Sequence, residues 1–190
     1  SPELLRISLI DVLKDVAPIS LLHEVLSPKG FNASQIRDIY RSLSSSQSGK
    51  RFFTNEWEVL RDREYLWIQK KDSIQLIPEL IIEEIERTPS FVIPRDKHIA
   101  CLDADKLNHP LTIRKWERGD KFVPLGMNGK KKVSDYLTDK KYSLFQKENQ
   151  YVVCSGEEIV WLVNERTDHR YRITDSTQRI LLIKIKKDGQ

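Results

Sequence analysis

The sequence predicts an α+β fold: a small helix-plus-antiparallel-sheet module followed by a β-rich C-terminal module with one short helix. Three observations lead there. Between Ile19 and Leu43 apolar residues recur three and four apart, the spacing of one helix face. Beyond Gly49 the chain breaks into short runs rich in β-branched and aromatic residues, separated by polar turns. Charge is also unevenly placed: residues 1–96 hold thirteen Lys and Arg against fifteen Asp and Glu, whereas residues 97–190 hold nineteen against thirteen, within a net +4. That split suggests two modules, the second facing a polyanion. At 190 residues, with 39% hydrophobic and 32% charged residues, either module can bury a core.

In chain order, Ile19 to Leu26 has helical spacing and stops at Ser27-Pro28-Lys29-Gly30, a proline and glycine terminator. Asn32 then reads as an N-cap with Gln35 at the third helical position, opening a helix that carries Ile36, Ile39, Tyr40 and Leu43. Phe31, just ahead of the cap, is placed to pack back onto that helix. The Ser-rich run from Leu43 to Gly49 reads as a flexible loop. Lys50–Thr54, Trp57–Arg61 and Tyr65–Gln69 read as three short strands. The first module therefore spans residues 1–88, with a core of about 17–72. Its remainder is a bridge running from 72 to 98, punctuated by Pro78, Pro89 and Pro94, in which Ile81–Arg87 is either an edge strand or a helical turn.

The second module, residues 89–190, opens with the strand Ile99–Asp103. Leu111–Trp116 alternates like a second strand, with Thr112 and Arg114 on one face. Glu117–Phe122 is a charged turn, Pro124–Lys132 a glycine-punctuated loop ending in three lysines, and Val133–Leu137 one or two helical turns. Tyr151–Cys154, Ile159–Val163, Tyr171–Thr174 and Ile180–Ile185 complete the strand-like runs.

Little in the chain points to catalysis. His23, His98, His109 and His169 show no metal-ligand spacing with one another or with Cys101 and Cys154. Both cysteines sit in apolar runs and read as buried thiols, with a disulfide left open. Asp103-Ala104-Asp105 reads as a solvated turn at a strand end rather than a carboxylate pair. Ser48-Gly49-Lys50 lacks the upstream glycine of a phosphate-binding loop and reads as a lead-in to a strand. No apolar run approaches the roughly 20 residues of a membrane span. Ser1-Pro2-Glu3 lacks the basic start of a signal peptide, so a cytoplasmic protein with no membrane partner is expected.

One stretch differs in kind. Arg114, Lys115, Arg118, Lys121, Lys130, Lys131, Lys132, Lys140 and Lys141 fall among only four acids, Glu117, Asp120, Asp135 and Asp139. Lysines on a glycine-loosened loop can follow phosphates, and a helix directly after it offers free N–H donors to an anion. Arg114 and Arg118 add the planar fork that suits phosphate bidentately. A merely solvated charge run has the same composition, and composition alone does not separate the two.

Residue order goes further. Leu111 to Met127, followed by Lys131-Lys132-Val133-Ser134-Asp135-Tyr136 and Asp139-Lys140-Lys141, resembles the C-terminal domain of bacterial tRNA(Ile)-lysidine synthases. Leu102–Leu107, Cys154–Trp161 and Arg166–Tyr171 fit the same family, and Leu21–Gln69 is more loosely similar to its central substrate-binding region. The family's catalytic Ser-Gly-Gly-x-Asp-Ser loop has no counterpart here, and the sequence contains no Gly-Gly. Tyr142–Gln146 replaces a more basic stretch, and Asn164 stands where a glycine is usual. The resemblance implies that a separate N-terminal domain, using ATP with Mg and free lysine, converts the wobble cytidine of tRNA(Ile) to lysidine. This region would then need no cofactor of its own and would grip the tRNA, its last domain near the acceptor stem. Arg166 and Arg170 thereby join the nine basic residues above as candidate contacts. Homodimer formation is also expected as an option. A general RNA-binding accessory module and a protein-interaction or dimerisation module are the rival readings.

Overall fold

The computed structural model describes residues 4–45, 47–71 and 77–186. Ser1–Glu3, Ser46 of the serine-rich run and residues 72–76 of the expected bridge lie outside them. The chain divides into two units: Ser1–Gln75 with Ser143–Phe145, and Leu76–Tyr142 with Gln146–Gln190.

The first unit comprises β1 (Leu4–Ser8), α1 (Leu9–Lys14), α2 (Pro18–Leu26), α3 (Ala33–Leu43), β2 (Lys50–Phe53), β3 (Trp57–Asp62) and β4 (Tyr65–Lys70). Its antiparallel sheet runs β1-β4-β3-β2. The expected capping box is present: Gln35 N–H donates to Asn32 Oδ1 at 2.9 Å, and Asn32 N–H to Gln35 Oε1 at 3.0 Å. Two otherwise orphaned donors at the start of α3 are thereby satisfied. Phe31 is buried in the core that Leu22, Leu26, Ile36 and Ile39 share with Val59, Leu66 and Ile68. Strand alternation sends Leu60 and Trp67 to the opposite sheet face, where they are buried with Phe145. Strand β1 and helix α1 precede the expected core of about 17–72. Pairing of Leu4–Ser8 with Tyr65–Gln69 makes them part of the sheet.

The second unit contains β5 (Leu80–Glu86), β6 (Ile99–Asp103), β7 (Leu111–Lys115), β8 (Lys121–Phe122), β9 (Lys131–Lys132), α4 (Val133–Asp139), α5 (Leu144–Glu148, its start grouped with the first unit), β10 (Tyr151–Ser155), β11 (Glu158–Leu162), β12 (Arg166–Thr167) and β13 (Arg179–Ile185). A three-stranded sheet runs β5-β13-β6, a four-stranded sheet β12-β11-β10-β7, and β8 pairs with β9 as a short hairpin. The two larger sheets share a core in which Ala100, Leu102, Leu181 and Ile183 meet Val153, Val160 and Trp161. On the other face of β10 and β11, Val152, Cys154, Ile159 and Leu162 pack with Phe122 of the hairpin and Val133, Tyr136 and Leu137 of α4. The register shifts at Val153/Cys154, where Val153 faces Trp161 but Cys154 faces Ile159. Val160 is the extra residue, so it and Trp161 can serve the same core despite being adjacent.

Several expectations change. Ile81–Arg87 resolves as strand β5, whose pairing with β13 joins it to the second unit. The division accordingly falls after Gln75 rather than after residue 88. Tyr171–Thr174 is not a strand: His169–Tyr171 is a 3-10 turn capped by Asp168. Asp103-Ala104-Asp105 does form a turn, but Asp103 is buried rather than solvated. It accepts from the Thr177 hydroxyl at 2.7 Å and pairs with Lys106 at 3.0 Å. Cys101 and Cys154 are both free thiols, on different sheets, and burial pushes Cys101 up to about 11. Among the described residues no helix is long and apolar enough to cross a membrane.

Candidate nucleic-acid interface

The basic stretch divides into cations that build the fold and cations that face solvent. Arg114 belongs to the first group. Its guanidinium forks onto Asp120, with Nη1 to Oδ2 at 2.8 Å and Nη2 to Oδ1 at 2.9 Å. The same carboxylate accepts from the Glu117 N–H at 2.8 Å, which closes the turn. Gly119 at φ +106 lets the chain reverse there, a conformation that L side chains resist. Burial works against charge on Asp120, yet the bonds from Arg114 and the Glu117 amide outweigh it and hold the carboxyl below its ordinary range. By accepting both charge-assisted bonds, Asp120 in turn holds the Arg114 proton more tightly than usual.

Arg170 is bound in the same way. Asp168, 0% exposed, accepts from Arg170 Nη2 at 2.8 Å, Arg170 Nε at 3.0 Å and the Val123 N–H at 2.9 Å. Glu158 takes a further bond from Arg170 Nη2 at 2.7 Å, which holds its carboxyl below the usual range. A buried carboxylate is costly unless its lone pairs are met by donors, and here they are. Arg114 and Arg170 are both among the expected tRNA contacts; in the structure their forks, each about a third exposed, bond carboxylates of the same unit.

Two further expectations are modified. Lys131 lies not in an open loop but in β9, paired with Asp139 and set over the Tyr136 ring. Helix α4 has seven residues and its first N–H, that of Val133, already donates to the Asp120 carbonyl at 2.9 Å. That leading donor is therefore spent within the chain.

The remaining residues lie outward. Arg118 is exposed at the turn, and Lys130 is exposed beyond the hairpin tip, close enough to Glu158 to lower its pKa. Lys140 is exposed with its ammonium 5.9 Å from the Tyr136 ring centroid, and Lys141 ends α4 in the left-handed region at φ +59. Arg166 reaches the Tyr136 hydroxyl, while Lys115 is half-buried at the end of β7. Lys121 and Lys132 stand directly opposite one another across the hairpin, both exposed. Like charges at facing positions of an antiparallel pair destabilise it. On the other face of the same two strands, Phe122 is fully buried. The hairpin thus has one face where Phe122 is buried beside Lys131, which is paired with Asp139, and one face where Lys121 and Lys132 have no carboxylate between them.

Sequence reasoning missed Asp120, Asp168 and Glu158 as the organisers of this surface. A signal was available: Arg114 with Asp120, and Asp168 with Arg170, are short-range pairs flanking turns, and a planar guanidinium fork matches a nearby carboxylate bidentately. Among the described residues no group of three or more His, Cys, Asp or Glu stands ready to hold a metal ion.

Comparison with known proteins agrees with this division into two units. Residues 2–71 match the family model described as the TilS substrate binding domain, and residues 111–183 that of the TilS substrate C-terminal domain. A tRNA(Ile)-lysidine synthase of Bacteroides thetaiotaomicron is 51% identical over 188 residues, covering 97% of this chain and 43% of that protein. One from Parabacteroides distasonis is 41% identical, covering 94% of this chain and 44% of its own length. The chain therefore spans less than half of these curated relatives. A crystal structure of a TilS C-terminal domain superposes with a TM-score of 0.50 at 20% identity, over 58% of this chain and 85% of that one, a likeness of fold.

Proposed function

We propose that this chain, which carries the substrate-binding and the C-terminal domain of the TilS family, is the tRNA-gripping region of a tRNA(Ile)-lysidine synthase. On this reading the complete enzyme uses ATP, with Mg, and lysine to convert the wobble cytidine of tRNA(Ile) to lysidine in the cytoplasm. Bond-making belongs to a nucleotide-binding domain with the Ser-Gly-Gly-x-Asp-Ser loop, which these 190 residues do not contain. No residue here is assigned to ATP, magnesium or lysine.

The observation that carries the reading is the facing pair Lys121 and Lys132 on the exposed side of the hairpin. Such a pairing costs stability in the free protein, and a bound phosphate offsets that cost. Arg118, Lys130, Lys140 and Lys141 extend the same positive character on neighbouring segments. Charge of this kind follows a backbone and does not read bases, which suits A-form RNA whose deep groove side chains cannot enter.

The test is binding of the chain to tRNA(Ile) and to another tRNA across a salt series. Neutralising four to six phosphates gives a log–log slope of roughly −3 to −5, taking the duplex-DNA coefficient as a guide. A slope near zero, or no binding at low salt, would falsify the electrostatic grip. Equal affinity for unrelated tRNAs points instead to a general RNA-binding accessory module. A dimerisation role draws on edge strand β5, where Ile81 and Ile82 are exposed; self-association without RNA affinity is its signature. Labelled lysine should not enter tRNA(Ile) with this chain alone.

A further inference from the structure

The hairpin carries a second surface at its tip. Between β8 and β9 the chain runs Val123-Pro124-Leu125-Gly126-Met127-Asn128-Gly129-Lys130, and here two large apolar side chains face solvent: Leu125 is 38% exposed and Met127 45%. Lone exposed apolar residues are ordinary. This pair differs in how firmly the backbone beneath it is held. Leu125 N–H donates to the Thr167 carbonyl at 2.9 Å, Met127 N–H to the Pro124 carbonyl at 2.8 Å, and Gly126 N–H to His169 Nδ1 at 3.1 Å. His169 N–H returns a bond to the Val123 carbonyl at 2.7 Å, and Pro124 bridges to Asp168. Gly126 at φ +89 turns the chain between the two side chains, and nothing lies within 4 Å of where its Cβ would be. The buried carboxylate of Asp168 anchors the same turn through Val123. A fixed, outward-pointing apolar pair on a cationic hairpin is poorly explained by phosphate binding, because neither side chain interacts with charge.

We propose that Leu125 and Met127 form an apolar platform for the flat face of an unpaired nucleobase in the bound RNA, positioning it while the lysines at the hairpin's base hold the adjoining phosphates. This rests on the RNA-binding reading above and adds a contact of a different kind. An unpaired base is the occupant that the charges favour: it offers an apolar face attached to an anionic backbone, matching a Leu/Met tip on the same hairpin as Lys121, Lys130 and Lys132. Leu and Met side chains are known to contact base faces when minor-groove proteins insert them between base steps of a duplex. Contacts between a base and a protein surface are sequence-tolerant, since every base has such a face.

Three probes separate the outcomes: a tRNA(Ile) transcript, a fully paired RNA duplex, and inorganic polyphosphate, which has charge but no base. The Leu125→Ser/Met127→Ser double variant is expected to bind tRNA about three- to tenfold more weakly, at or below the low end of what stacking on an aromatic ring contributes, since neither side chain is a ring. Its affinity for duplex and polyphosphate, its salt slope and its melting temperature should match the parent. Leu125→Met/Met127→Leu keeps an apolar tip and should bind tRNA as the parent does, which guards against a local backbone effect. Unchanged tRNA affinity in the serine variant overturns the platform. Equal weakening toward polyphosphate also overturns it, because the tip then acts only by supporting the lysines. If the parent binds none of the three probes, the RNA-binding reading itself falls, and the platform with it.

Discussion

Arg114 and Lys132 belong to one basic stretch, yet they have opposite fates. The guanidinium forks of Arg114 and Arg170, both partly exposed, are bonded to Asp120, Asp168 and Glu158 and hold turns in place. Lys121 and Lys132, a short distance along the chain, face each other on an exposed hairpin. The difference lies in chemistry more than in charge. A planar fork beside a carboxylate on the same turn gains two directed bonds, and that pairing rigidifies the scaffold. An ammonium on a flexible stem with no carboxylate opposite it keeps its hydration and stays available to an external anion. Positive residues of the first kind shape the surface, and those of the second kind can bind with it.

The largest expected effect tests the scaffold side. Asp168→Ala leaves Arg170 short of its main partner and the buried Val123 N–H without an acceptor. Arg170 is partly exposed and keeps Glu158, so the cost comes mainly from unsatisfied buried donors, at roughly 1–3 kcal/mol each. A loss of about 3 kcal/mol is expected, read as a shift in urea midpoint at constant m-value. A loss under about 1 kcal/mol would return Arg170 to the list of RNA contacts.

Trp116→Ala comes next. The indole is half-buried against the α4 core and donates its Nε1–H to the Lys147 carbonyl, which argues for a packing role over a base-stacking one. A loss of roughly 2–3 kcal/mol is expected, below the 3–5 typical of a fully buried large aromatic. Reduced tRNA affinity with unchanged stability would reverse that assignment.

Acid should act on the scaffold more than on the lysines. Asp103, Asp120 and Glu158 all have folded-state pKa values below the ordinary ones. Their contribution is therefore complete above about pH 5 and is lost as pH falls through the unfolded and then the depressed folded values. Melting temperature should drop between about pH 5 and pH 3. Asp120→Asn should lower stability at pH 7 and flatten that drop; a parallel curve for the variant would exclude Asp120 as a contributor.

Smallest in stability is the binding side. Replacing Arg118, Lys121, Lys130 and Lys132 together by Ala should move stability by no more than about 0.5 kcal/mol, upward if relief of the facing pair dominates. The same variant should bind tRNA more weakly, with a salt slope shallower by about one for each phosphate contact removed. A variant that binds normally, or that melts as early as Trp116→Ala, breaks the proposed separation of roles.

What the sequence made legible follows the range of the interactions. Helix α3 was readable because its cap, staple and apolar stripe lie within about a dozen residues. Strands β6, β10, β11 and β13 announced themselves as apolar runs, those of β10 and β11 buried on both faces. Strand β5 did not: its exposed isoleucines and interleaved glutamates fit an edge strand and a helical turn equally, and only pairing with β13, far along the chain, decides it. Strand β1 was missed for the same reason, since Leu4–Ser8 gains its identity from Tyr65–Gln69. At the candidate site, composition located the basic segment, but which cations remain outward depended on where Asp120, Asp168 and Glu158 come to rest. Asp168 in particular is held in place by hydrogen bonds with distant segments: its N–H donates to the Val160 carbonyl, and its carboxylate accepts from the Val123 N–H.

The strand order β5-β13-β6 also bears on how this unit is made. The middle strand is the last to be synthesised, and both of its neighbours pair only with it in that sheet. Until Arg179–Ile185 has left the ribosome, β5 and β6 present open edges, and one wall of the Trp161 core is missing. Such a topology closes late and all at once, because loop-closure entropy must be met before the pairing repays it. Nascent chains stopped ahead of Arg179 should remain protease-sensitive through residue 103 and tend to associate through those edges. Chains that run past Ile185 should become resistant in a single step.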